Sequence, residues 1–253
     1  MKLGKGKEQE KEKKKSIDID DKLPVTSHLA ELRSRLVKTL IVLAVAFVLC
    51  WIFSVPILKF VSRPLKKHIL IFISPTEAFF ANLKVAFFSA IIFCFPLIIY
   101  EIWSFIAPGL YKKEKKYTLG FVFFSSFLFV LGAFFCFYVI LPFGLQFLLT
   151  FKASTLEARI SVDKYLHFIV WLLMIFGIVF EMPLLAFFLS KVGILKPEML
   201  SKNRKYGVVV IFFISAVLTP PDVVTQVLLA IPLIFLYELS IFTSKLACKK
   251  KAD

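Results

Sequence analysis

Residues 165–190 read YLHFIVWLLMIFGIVFEMPLLAFFLS, and the one formally charged side chain among them is Glu181. At 1.5 Å of rise per residue, about 20 residues cross the hydrocarbon of a bilayer, so this run predicts a membrane-spanning helix. A carboxylate far from both ends of such a helix is costly against lipid. Glu181 is therefore expected to face protein, water or a polar partner.

The rest of the chain has the same character. Of 253 residues, 59% are hydrophobic and 16% aromatic, which excludes an ordinary soluble domain. The net charge of +15 comes from Lys and Arg placed at the ends of the apolar runs. Membrane topology produces that pattern, and no nucleic-acid partner is expected. The four cysteines and three histidines are scattered without a CxxC, so no disulfide framework, zinc site or other cofactor is indicated. GxSxG, HExxH and Walker A patterns are missing, and no enzyme activity is expected. The first apolar run begins near Thr39 and has no small-residue cleavage site, so it does not read as a cleavable signal.

Three regions follow. Residues 1–22 are a Lys/Glu-rich tail unable to bury a core, expected to be a disordered cytoplasmic extension. Residues 23–245 form the membrane domain, and residues 246–253 a basic cytoplasmic tail. Thr26 or Ser27 can cap a helix whose Leu29, Leu32 and Leu36 form an apolar stripe, with His28, Glu31 and Arg35 on another face. This amphipathic turn is expected at the membrane surface before span one, residues 38–58. Span two covers residues 79–103, with Pro96 as a kink. Pro142 and Gly144 are expected to end span three, residues 118–141. Span four is the opening stretch. Span five, residues 206–218, reaches only about 20 Å against a hydrocarbon thickness of about 30 Å. Span six covers residues 223–244. The fold class is an all-α integral membrane protein with six crossings. Loops on the side of the termini hold 24 Lys and Arg against seven on the other side, which assigns both termini to the cytoplasm.

Few polar residues stand out against this background. Glu31 and Glu114, near the entrances of spans one and three, suit capture of guanidinium groups. The plain alternatives are an i,i+4 pair with Arg35 and a solvated loop charge. Thr219, Asp222 and Gln226 cluster at the hairpin between spans five and six, where Asp222 can equally be a simple helix cap. Glu101 and Glu238 lie close enough to helix ends to snorkel.

Five pieces together resemble the TatC family, the multi-spanning core subunit of the twin-arginine protein translocase. They are HLAELRSRL (28–36), SPTEAFF (74–80), FIAPGLYKKE (105–114), FEMPL (180–184) and LTPPDVVTQ (218–226), in that order. The tail of residues 1–22 departs from the usual family start. The resemblance implies a receptor in the cytoplasmic (inner) membrane that binds twin-arginine signal peptides of folded cargo. It further implies a multimeric complex with the single-span proteins TatA and TatB, transport driven by the proton-motive force, and a concave wall with short fifth and sixth spans. Carried onto this chain, Glu31 and Glu114 would hold the two signal arginines. Arg33, Phe105, Leu110, Tyr111 and Lys112 would shape the same surface. Glu181 would face a groove open to the bilayer, Thr219, Asp222 and Gln226 would meet partner helices, and Pro96 would support the wall. Two rivals are a proton-coupled small-solute transporter, which should show internal repeats that are missing here, and a passive scaffold for single-span helices.

Overall fold

The structure, a computed structural model, describes residues 25–65, 70–106, 118–150, 159–219 and 222–249. Two compact units make up the chain, Met1–Val42 and Leu43–Asp253. The expected extension of residues 1–22 lies outside the described residues.

Helix α1 is Val25–Ile52, and it runs without interruption past Lys38. The amphipathic stretch thus continues directly into the first span, as expected. Nothing between Leu36 and Thr39 breaks a helix, since there is no Gly or Pro to free the backbone. In the first unit Leu29, Leu32 and Leu36 are exposed. In the second unit, α1 packs Cys50 and Phe47 against Ala86 and Ala90 of α3 (Glu77–Ile106). A short helix α2 (Ser54–Val61), a 3-10 turn at Arg63–Leu65 and the strand β1 (Leu70–Ile71) lead into α3.

Beyond α3 come α4 (Thr118–Phe135), a π turn at Cys136–Ile140 and α5 (Leu141–Thr150). Pro142 and Gly144 do not end this span, contrary to expectation. Proline lacks an N–H and crowds the carbonyl four residues earlier. The widened turn accommodates it, with Leu141 N donating to Cys136 O five residues back. Strand β2 (Ile160–Ser161) pairs in parallel with β1, Leu70 opposite Ile160 and Ile71 opposite Ser161. It leads straight into α6 (Val162–Phe180) and α7 (Met182–Val192), which divide the opening stretch at Glu181.

Helix α6 lies at the centre of the core. Leu166, Ile169, Leu172 and Phe176 recur at three- and four-residue spacing, and all are buried. They pack with Val85 of α3, Cys136, Leu141 of α5 and Leu229 and Leu233 of the last helix. Between lipid-soluble helices close approach replaces hydrophobic drive, so small residues mark the tight contacts. A Cβ on Gly132 would lie 2.7 Å from the Phe176 carbonyl oxygen, and one on Gly177 would lie 2.5 Å from the Phe129 ring. These two glycines let α4 and α6 touch.

After α8 (Pro197–Lys202) the chain forms α9 (Arg204–Leu218) and α10 (Val223–Lys249). Five helical stretches among the described residues are long and apolar enough to cross a membrane, namely Leu29–Ile52, Glu77–Phe105, Leu119–Leu149, Val162–Val192 and Val223–Cys248. The remaining expected crossing, span five, is α9, which has 15 residues and reaches only about 22 Å at helical rise. The expected short fifth span is thus present as a short helix. The expected short sixth span is corrected, because α10 is 27 residues long and continues through Pro232. It packs on α7 by a seam that includes Ser240, Ser244 and Ala247, all buried. Across it Ser190 and Ser244 share a 2.5 Å hydrogen bond, and the Thr243 hydroxyl donates to the Pro183 carbonyl at 2.8 Å.

Candidate functional site

Glu181 occupies the joint between α6 and α7. Its own N–H donates to the Ile178 carbonyl at 3.1 Å, a tightened turn, while its carbonyl accepts from Leu185 N at 2.9 Å. Pro183, two residues on, cannot donate to the helix before it, which is why the helix is interrupted here. The side chain turns inward and is 5% exposed. Its Oε2 accepts a hydrogen bond from the Ser125 hydroxyl of α4 at 2.6 Å. Its Oε1 has no hydrogen-bonding partner among the described residues. Thus, among the described residues, one oxygen of this buried carboxyl is hydrogen-bonded and the other is not.

The surroundings of the carboxyl are built from aromatic packing. Phe129, one turn after Ser125 on α4, stacks on Phe95 of α3 at 3.5 Å between ring centroids and lies over Gly177. Ser125, Phe129, Gly132 and Cys136 form one buried stripe at helical spacing. Pro96 follows Phe95 inside α3 and is itself exposed. It removes one donor from the helix without interrupting it.

At the other candidate acid, the Arg35 guanidinium donates to Glu31 Oε1 through Nη2 at 2.5 Å and Nε at 3.1 Å. The i,i+4 pair weighed from spacing is therefore formed in this chain. Arg33 is exposed on the same helix. Phe105 is half-buried in the last turn of α3. Leu110, Tyr111, Lys112 and Glu114 lie outside the described residues.

Thr219 closes α9, Asp222 and Gln226 lie at the start of α10, and each side chain has its own partner. Asp222 Oδ1 accepts from Thr225 N at 2.7 Å, and its Oδ2 accepts from the Thr225 hydroxyl, so Asp222 caps α10. Gln226 Nε2 donates to the Phe212 carbonyl of α9 at 3.0 Å. Thr219 is buried and returns its hydroxyl to the Ser215 carbonyl at 2.9 Å. Ser215 Oγ is buried without a partner among the described residues. At the far end of α9, Arg204 Nη2 donates to Glu238 Oε2 at 2.9 Å, and Tyr237 lies against Gly207.

A further acid, absent from the candidates above, is tied into the same bundle. Glu77 is 8% exposed and bonds to the starts of both α3 and α6. The spacing Ser74-x-x-Glu77 before an apolar run is a capping-box signature and could have revealed it. Ser125 carried no comparable signal, because a lone serine in an apolar run has no pattern of its own.

The family model described as Sec-independent protein translocase protein (TatC) matches residues 27–232. The Sec-independent protein translocase protein TatC of Desulforapulum autotrophicum is 41% identical over 237 residues, covering 92% of this chain and 88% of its own length. That of Helicobacter pylori strain 26695 is 45% identical over 219 residues, covering 87% and 86%. A crystal structure of the twin arginine translocase receptor TatC superposes with a TM-score of 0.79 at 40% identity, covering 87% of this chain and 99% of that one. Family model, relatives and superposed backbone agree, and the chain belongs to the TatC family, multi-pass membrane components of the Sec-independent protein translocase.

Proposed function

We propose that this chain is the receptor and core subunit of a twin-arginine translocase. It binds the signal peptides of folded proteins and assembles with TatA and TatB for export driven by the proton-motive force. It lies in the inner membrane with both termini in the cytoplasm, as the 24-to-seven bias of Lys and Arg favours.

The observation that carries the binding role is the Glu31–Arg35 pair. Glu31 already accepts two N–H groups from one guanidinium, which is the contact a signal arginine would make. An incoming arginine replaces Arg35 on the carboxylate, and Glu114 receives the second. Arg33, Phe105, Leu110, Tyr111 and Lys112 contribute to recognition of the same peptide. Lysine, a point charge without the planar fork, is a poorer ligand for such acids.

Glu181 has a separate task. Its Oε1, buried and without a partner among the described residues, becomes a polar contact for a partner helix at membrane depth once the packing of α4 and α6 opens around it. Thr219, Asp222 and Gln226 organise the hairpin against which a second partner helix packs, with Asp222 acting through the cap it gives α10.

Crosslinking of a twin-arginine peptide, with a Lys-Lys peptide as control, tests the receptor reading. The arginine peptide is expected to crosslink preferentially near residues 31 and 114. Equal crosslinking of both peptides refutes it.

A further inference from the structure

Helices α3 and α6 begin at the same end of the bundle, and one side chain caps both. Glu77 Oε2 accepts from Ile73 N at 2.6 Å and, at 3.4 Å, from Ser74 N, in the segment entering α3. Its Oε1 accepts from Asp163 N at 2.9 Å and from the Ser161 hydroxyl, in the first turn of α6. Lys84 of α3 pairs with Asp163, and Tyr165 donates its hydroxyl to the Val61 carbonyl at 2.9 Å. The β1–β2 pair joins the two incoming segments.

Further along, Val85 of α3 and Ile169 of α6 are buried in one apolar cluster. Apolar contact is non-directional and allows one helix to slide along another. Hydrogen bonds to particular backbone N–H groups do not, since a slide of one residue, about 1.5 Å, breaks them. We propose that Glu77 is a positioning residue, fixing the axial register of α6 against α3 and so the membrane depth at which Glu181 is presented. Its effect on transport rests on the role given above to Glu181; its effect on register does not.

Two readouts in the full-length protein separate these. The first uses Leu70→Cys with Ile160→Cys, facing positions of the parallel pair, whose spacing suits a disulfide. Oxidation of this pair, verified by peptide mapping, is expected to slow about fivefold or more when Glu77→Ala is added, because the effective concentration of the two thiols falls. An unchanged rate overturns the proposal.

The second readout is transport. Glu77→Ala is expected to lower transport about fivefold, while membrane abundance and twin-arginine crosslinking stay within about twofold of wild type. Oxidising the 70–160 pair should restore it. Wild-type transport in Glu77→Ala, loss of abundance and crosslinking in step with transport, or failure of the disulfide to rescue each overturns the positioning role. If the wild-type chain does not prefer the arginine peptide, the receptor reading falls, and the oxidation rate still decides the register.

Discussion

Ser125→Ala removes a single oxygen, and with it the partner of Glu181 Oε2 among the described residues. The backbone and Cβ stay, so no sizeable cavity opens. Leaving a buried polar group unpaired costs about 1–3 kcal/mol. Hydrogen bonds between membrane helices average about 0.6 kcal/mol in double-mutant cycles and reach about 1.7. Here the bond is 2.6 Å long, Ser125 is 1% exposed and Glu181 is 5% exposed. Little water or lipid headgroup can substitute at such burial, which places the loss at the upper end, about 1–2 kcal/mol. The assay is reversible unfolding of purified protein in mixed micelles, with Ser125→Ala, Glu181→Met and the double variant completing a cycle, since Met removes the acceptor that Gln would keep. A coupling of about 1 kcal/mol is expected between the two positions, well above the few tenths by which independent sites depart from additivity. Additive single losses, or an unchanged midpoint for Ser125→Ala, would refute the assignment of Ser125 as the holder of Glu181.

Gly132→Ala should destabilise by about 1–3 kcal/mol, because its Cβ meets the Phe176 carbonyl oxygen at 2.7 Å and backbone cannot yield as a side chain does. Gly120→Ala on the same helix meets nothing within 4 Å and should be neutral or stabilising in the same unfolding assay. Asp222→Ala should cost about 0.5–2 kcal/mol through loss of the α10 cap, and Asp222→Asn much less. Equal midpoints for the two Asp222 variants would remove capping as its role. Glu181→Gln should leave twin-arginine peptide crosslinking intact and reduce transport or partner assembly. Wild-type transport in that variant would make Glu181 a structural residue only.

The long apolar runs made the spans legible, because crossing a bilayer requires length and low charge before any packing detail. Five of the six expected crossings appear as helices of spanning length, and the short fifth was visible in the distance from Tyr206 to Thr219. Boundaries set by proline were less legible. Pro142 was expected to end a helix, yet a π turn carries the chain past it, a local rearrangement that composition does not encode. The interruption at Glu181, by contrast, coincides with Glu-Met-Pro. Asp222 was recognisable as a cap from its place before an apolar run. The partner of Glu181 was not, since pairing across 56 residues of chain depends on how helices rotate against one another. Glu77 lay in a readable capping box, but its second attachment, to α6, exists only once the two loops meet.

The most direct measurement is the binding of a twin-arginine peptide and its Lys-Lys counterpart to the wild-type chain and to Glu31→Gln and Glu114→Gln. Bidentate, charge-assisted contacts should give the wild-type chain about tenfold or more preference for arginine, and each substitution should shrink it toward unity. A preference that survives both substitutions would contradict the role of these acids in holding the signal arginines.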